Sequence, residues 1–500
     1  MNGQNFAPSL QLVVSLVNNG DLTGAAAVAE TIQDKDNAAE AWRLLCRANA
    51  NLQRFDAADS AIENALRQRP GAVDLRFERA LLLEARNQLP QALEEFAELA
   101  RGPQATPRFA WHLARSQEFS GRAADAQASV LAALERWPTD GSLHALLAEL
   151  NWSLGAGAEL AAPLEQAIEK YPGELKLRLI AADALRNAGF TERALLLLQA
   201  GMRLAPESPA LLTSIGVLLD SLDRSAEALP YLQKAAAGSP ASLPARRNLV
   251  PTLLRLQRAR EALQLCDALL REVADDQQLI AWRATSLRAL GDEEYSRLHD
   301  YDHLVRSYRL QTRRAGGIAE FNAEFARECT ALHRSQRRPL TQSLRGGSQT
   351  ERNLPADNPV FAEFFTMLRE PIRDYIARLA ELDPAHPTAR RARADGGFRV
   401  SGSWSVQLQP GGFHVNHVHP AGWLSSAYYI ELPEVANEFA RAGWLAFGEP
   451  GMALAGMGAD HFVRPEPGML VLFPSYLWHG TVPFTEGGRR LTAAFDVLPG

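Results

Sequence analysis

The chain has 500 residues, 46% of them apolar and 22% charged, which is more than one hydrophobic core fills and points to two to four domains. A net charge of −6 lacks the basic footprint that phosphate binding needs, so no nucleic acid partner is expected. No apolar run is as long as a membrane span, and MNGQNFAPSLQLVVSLVNNG has neither a basic n-region nor an unbroken apolar h-region; a cytoplasmic protein with no membrane partner is the expectation. Cys46, Cys266 and Cys329 are too few and too far apart for a disulfide framework or a thiolate zinc site, and are expected to be reduced packing thiols.

The first 306 residues carry an internal period. Alanine recurs at Ala58, Ala92, Ala126, Ala194, Ala228 and Ala262 in one 34-residue register, missed only at Leu160. Proline follows twelve residues later at Pro70, Pro138, Pro172, Pro206 and Pro240. A second small-residue column runs through Ala80, Ala114, Ala148, Ala182, Gly216 and Ala284. Each period reads as two amphipathic helices: small residues let the axes approach, and proline stands where the second helix stops. Such a unit cannot bury its apolar face alone, so neighbours must stack into an all-α solenoid. The columns resemble the tetratricopeptide (TPR) repeat over about eight units, clear from about residue 39, with a degenerate segment before them. The pentatricopeptide repeat, which reads RNA, fits the acidic balance less well. The resemblance implies a surface for a protein or peptide partner, set against a purely packing or dimerising arm.

From 307 to 395 the columns are lost. GGIAEFNAEFARECTALHRSQ and VFAEFFTMLREPIRDYIARLAEL keep helical spacing, whereas RRPLTQSLRGGSQTERNLPADNP and DPAHPTARRARADGG predict irregular structure or a strand with loops. This stretch is read as a helical and irregular lead-in packed on the last domain. His333 and His386 have no partner at ligand spacing and are expected to be structural.

From 396 to 500 the period becomes that of strands: FRVSGSWSVQLQ, WLSSAYYIELP, GWLAFGEP, HFVRP, GMLVLFPS and RLTAAFDVLP, separated by Gly and Pro clusters, predict an all-β sandwich or barrel. Five of the eleven histidines lie here. His417 and His419 are two apart, so on a strand both face one side and can bind one ion. His479, arriving from a distant strand, would complete a facial metal site that leaves positions open. His414 has the opposite parity and is expected to pack or to support the site, while His461 is expected to be structural. In RLTAAFDV the residues Leu491, Ala493, Phe495 and Val497 form one face, and Arg490, Thr492, Ala494 and Asp496 the other. Arg490 with Thr492 can therefore hold a carboxylate; Arg489 is the weaker choice. Of Tyr428 and Tyr429, apolar packing is the expectation, with one of them able to face a cosubstrate.

These features, with GSWSVQL, HVHPAGWLSSAYYIELP, GMLVLFPSYLWHGTVPF, RRLTAAFDV and the lead-in PLTQSLRGGSQT, resemble the iron(II)/2-oxoglutarate-dependent oxygenase family found behind tetratricopeptide repeats. The resemblance implies a double-stranded β-helix (jelly-roll) domain and a 2-oxoglutarate-dependent dioxygenase of the hydroxylase type. It implies Fe(II) on His417 and His479, 2-oxoglutarate on Arg490 and Thr492, and molecular oxygen as cosubstrate. The superfamily commonly places Asp or Glu two residues after the first histidine; this chain has His419 there, giving an all-histidine set that could also hold zinc. A cupin is the rival metalloenzyme, since Gly411 precedes H-x-H by six residues, but the glutamate expected after His419 is replaced by Trp423 and Leu424. The alternative from another class is a TPR interaction scaffold with a catalytically degenerate barrel.

Overall fold

The computed structural model describes residues 8–52, 54–333, 340, 342–350, 353–393, 395–434 and 440–500. Part of the expected lead-in, 334–339, 341, 351–352 and 394, lies outside the described residues. Two compact units divide the chain: residues 1–154 with 355–357, and 155–354 with 358–500.

The first unit is built of antiparallel helix pairs, Lys35–Asn51 with Phe55–Gln68, Val73–Ala85 with Leu89–Arg101, and Pro107–Phe119 with Ala123–Arg136. Two further helices, Pro8–Asn18 and Leu22–Thr31, stand where the degenerate segment was expected. Ala58, Ala80, Ala92, Ala114 and Ala126 are all fully buried, as residues at helix crossings must be.

The second unit begins with the same architecture: Leu175–Ala188 with Thr191–Met202, Pro209–Ser221 with Ser225–Gly238, and Leu249–Arg255 with Ala259–Glu272, followed by Gln277–Leu290. The small-residue column has a steric cause, seen at Gly216, where a Cβ would come within 2.5 Å of Leu232 Cγ. The single miss in the alanine column, Leu160, falls in a 3-10 turn, Gly157–Ala161, that replaces the start of a helix. Asn87, Gly121, Gly155, Gly189, Asp223, Gln257 and Gly291 all have positive φ and are spaced 34 residues apart. From Val73 onward this fourth column marks the tight turn after the first helix of each pair, and it was not read from the sequence.

Among the described residues nine antiparallel strands follow, named here in chain order: β1 (Arg306–Arg309), β2 (Leu344–Gln349), β3 (Phe398–His414), β4 (Leu424–Glu431), β5 (Leu445–Phe447), β6 (His461–Val463), β7 (Met469–Pro474), β8 (His479–Thr481) and β9 (Arg490–Pro499). They form a jelly-roll arrangement of two sheets, a six-stranded one in the order β1-β7-β4-β9-β3-β2 and a three-stranded one in the order β6-β5-β8. The major sheet alternates cleanly between its faces. Tyr428, Ile430, Leu470, Leu472, Leu491, Ala493, Phe495 and Val497 pack under the helices Gly317–Leu332, Pro359–Met367 and Arg369–Arg378. Tyr429, Val471 and Phe473 point the other way, into a core shared with Leu445 and Phe447 of the minor sheet. Residues 307–395 are therefore more than a lead-in. They supply most of β1 and all of β2 at the two edges of the major sheet, besides the helices that cover its outer face. Four- and six-residue strands carry too short an alternation to stand out in a sequence.

All three cysteines are free and buried. No helix among the described residues is long and apolar enough to cross a membrane.

Candidate metal centre

His417 and His419 do not lie on a continuous strand. β3 ends at His414, β4 begins at Leu424, and the loop between them is pinned by two backbone hydrogen bonds that His417 exchanges with His479 (2.9 and 3.1 Å). A third bond, from the His419 amide to Ser475 O at 3.0 Å, fixes the next turn. Expecting a strand was wrong, yet the two rings still converge with that of His479, the loop being held to the strand that carries it by these bonds. Gly480 belongs to the same arrangement: a Cβ there would lie 2.9 Å from His414 O and closer still to Asn416.

One ring nitrogen from each of His417, His419 and His479 lies within 4.8 Å of the others. The second nitrogen of each ring is committed elsewhere. His417 Nδ1 donates to Val415 O at 2.9 Å, His479 Nδ1 donates to Leu477 O at 2.9 Å, and His419 Nδ1 donates to both oxygens of Asp496 at 2.7 and 2.9 Å. Carbonyls and carboxylates only accept, so the proton of each neutral ring sits on Nδ1 and the lone pair on Nε2. His417 Nε2 and His419 Nε2 then face each other at 3.3 Å. Two lone pairs that close repel unless a cation, a proton or a metal ion, lies between them. Burial and the neighbouring His419 push His417 down to about 3, and burial with the other two rings holds His479 well below the usual imidazole range. These two rings are thus kept neutral, the form that ligates metal.

His414 stands beside the trio, its ring centroid 5.7 Å from that of His417, with Nδ1 3.1 Å from Ser343 Oγ. It supports the edge of the site, as its parity suggested. Trp404 stacks on His419 at 5.7 Å, and Phe473 meets His479 edge-on at 4.7 Å, so the rings are walled by aromatic surface.

Arg490 opens β9, is 2% exposed, and lies opposite Leu408 of β3. Its guanidinium carbon sits 5.1 Å from the centre of the Tyr429 ring, and its charge reaches His414. Arg490 Nε and the Tyr429 hydroxyl are both buried without a hydrogen-bond partner among the described residues. Burial lowers the Arg490 pKa and raises that of Tyr429, the direction in which each loses its charged form. A buried guanidinium whose Nε has no acceptor, with a tyrosine hydroxyl as its one polar neighbour of note, is costly to hold as a cation unless an anion meets it, and a carboxylate is such an anion. Thr492, two residues along the same face, is 4% exposed and pairs with Tyr429 of β4. Arg489 is spent elsewhere, with Nε on Glu431 at 2.6 Å.

Tyr428 and Tyr429 are both buried in cores, as expected, and differ at their hydroxyls: that of Tyr428 meets Asn322 at 2.6 Å, whereas the Tyr429 ring lies against Arg490. One residue was missed in the sequence. Asp496 was placed on the Arg490 face without a role, and the only signal for one was that parity. Three further histidines are engaged by other groups: His333 bridges Ser348 and Ser405, His386 lies 3.3 Å from the Tyr476 hydroxyl, and His461 stacks on Tyr301. Trp423 and Leu424, where a cupin would need its glutamate, are buried in the core.

Residues 402–496 match the family model described as "Putative 2OG-Fe(II) oxygenase", and residues 47–106, 113–174 and 181–242 match that described as "Tetratricopeptide repeat". Among solved structures, the chain is similar to a Pseudomonas putida prolyl-4-hydroxylase at 15% identity, covering 41% of this chain and 98% of that one with a TM-score of 0.27. It is also similar to yeast Tom70 at 16% identity, covering 58% of this chain and 66% of that one with a TM-score of 0.38. A tetratricopeptide repeat protein from Parabacteroides merdae matches at 15% identity over 50% of this chain and 100% of its own, with a TM-score of 0.31. No curated protein matches the chain. The chain thus joins stretches that match the tetratricopeptide repeat model to a later stretch, residues 402–496, that matches the 2OG-Fe(II) oxygenase model.

Proposed function

We propose that this protein is an Fe(II)- and 2-oxoglutarate-dependent dioxygenase that hydroxylates a protein or peptide substrate brought to it by the repeat helices. The observation that carries the reading is the convergence of three histidines whose Nδ1 atoms are all committed to acceptors, so that their remaining nitrogens are presented together. Imidazole nitrogens suit Fe(II), and three ligands on one side leave room for a bidentate cosubstrate and oxygen.

In this reading His417, His419 and His479 hold the metal, while Arg490, Thr492 and the Tyr429 hydroxyl receive the far carboxylate of 2-oxoglutarate. Bound together, iron and 2-oxoglutarate supply the oxidising chemistry that consumes oxygen and yields succinate and carbon dioxide. The chain's own residues orient and shield. The Nδ1 acceptors fix the ring planes, Arg490 sets the depth of the cosubstrate, and Trp404, Phe447 and Phe473 exclude water from around His419 and His479.

The test is equilibrium binding of Fe(II) under anaerobic conditions, followed by succinate formation from 2-oxoglutarate on admitting oxygen. One Fe(II) per chain is expected, with succinate formed, and a His479→Ala variant should lose both. Protein that binds no Fe(II) and forms no succinate, even with candidate peptides present, would sink the proposal.

A further inference from the structure

Three imidazoles bring no negative charge to a divalent ion. The one carboxylate that touches the trio among the described residues is Asp496, through His419. It sits in the middle of the major sheet, opposite Ser425 of β4 and Gly402 of β3. Its oxygens accept from His419 Nδ1 at 2.7 and 2.9 Å and from Ser425 Oγ at 2.8 Å, and Ser425 Oγ in turn lies 2.9 Å from Ser475 Oγ. No arginine or lysine among the described residues pairs with it, although its side chain is only 18% exposed. A largely buried carboxylate whose sole charged partner would be a histidine gains most when that histidine is held against a cation. His417 and His479, by contrast, rest on the backbone carbonyls of Val415 and Leu477. The three rings are therefore inequivalent, and the difference lies at His419.

Resting on the metal-site reading above, we propose that Asp496 is the anionic positioning residue of the centre. It holds His419 with Nδ1 protonated and Nε2 turned inward, and it supplies from behind the ring the negative charge that the ligands themselves lack. The Ser425 and Ser475 hydroxyls aim the carboxylate. Hydrogen-bonded partners of this kind typically change metal affinity by about 10–100-fold when removed.

Fe(II) and Co(II) affinities of the full chain, measured anaerobically without 2-oxoglutarate, test this apart from turnover. Asp496→Asn keeps an oxygen acceptor for His419 and Ser425 while removing the charge, and should weaken both metals by about tenfold. Asp496→Ala should weaken them towards 100-fold. In a His419→Ala background, Asp496→Asn should change affinity less than twofold, since its effect passes through that ring. Circular dichroism checks that each variant is folded, and a variant that fails is replaced by Ser425→Ala, which misaims the carboxylate and should weaken binding in the same direction. Wild-type protein that binds neither metal overturns the site reading and this proposal together. Wild-type binding with unchanged affinity in Asp496→Asn overturns this proposal alone, as does an equal loss in the presence and absence of His419.

Discussion

At the scale of single residues, two adjacent arginines show how strand parity decides chemistry. Arg489 and Arg490 carry the same charge, yet Arg489 ends on Glu431 while Arg490 is buried with Nε unsatisfied beside the Tyr429 hydroxyl. A bond to a charged group contributes about 1.5–3 kcal/mol, so Arg490→Ala should raise the half-saturating 2-oxoglutarate concentration by about 10–100-fold. Arg489→Ala, which loses a part-exposed ion pair with Glu431 and hydrogen bonds to Thr330 and Gln407, should shift it less than twofold. Succinate formation titrated with 2-oxoglutarate reads both, and the reverse ranking would place the cosubstrate elsewhere. This much was legible in RRLTAAFDV, because alternation along one strand is local. The partnership of His419 with Asp496 was not, since 77 residues separate them and only the loop after β3 brings them together.

Among elements, the repeat helices were the most legible part of the chain. Their alanine columns mark helix crossings and their prolines mark helix ends, and both constraints recur every 34 residues. The positive-φ column was overlooked because it holds four different residue types, Gly, Asn, Asp and Gln, unified only by backbone conformation. It predicts stability changes of opposite sign. Gly189 sits at φ 95°, where a Cβ is strained, so Gly189→Ala should cost about 1–2 kcal/mol. Gln257 already bears that strain at φ 58°, and Gln257→Gly should raise stability by up to about 1 kcal/mol. Urea midpoints report both, and a stabilising Gly189→Ala would refute the turn assignment. β1 was illegible, and β2 was allowed for only as a strand with loops, for the opposite reason: they are strands because β7 and β3 offer unpaired edges, not because of their own residues.

The whole molecule departs most from its sequence at the presumed boundary near residue 306. The strand that delivers His479 is preceded by Tyr476, Leu477 and Trp478, all buried in one core with Val250, Leu253, Ile280 and Trp282 of the last repeats. Trp478 meets the Trp282 ring at 4.8 Å and donates Nε1–H to Thr285 Oγ1 at 3.1 Å. Tyr476 donates to Leu298 O at 2.5 Å, and Tyr295 and Tyr301 both donate to Asp460 at 2.7 Å. The final repeats therefore share a core with the β domain rather than forming an appended arm. Stripping one large aromatic of its cover costs about 3–5 kcal/mol, and two or three such losses reach the 5–15 kcal/mol that holds a typical domain together. A chain beginning at residue 307 should consequently be insoluble or molten, with exposed apolar surface that binds a hydrophobic dye. A chain beginning at residue 155, which keeps these helices, should unfold cooperatively and retain Fe(II) affinity within about threefold, roughly 0.7 kcal/mol, of the full chain. Calorimetry and anaerobic metal titration of the two truncations decide it: a folded, iron-binding 307–500 fragment would show that the repeats merely lean on the barrel, and that His479 is set by the barrel alone.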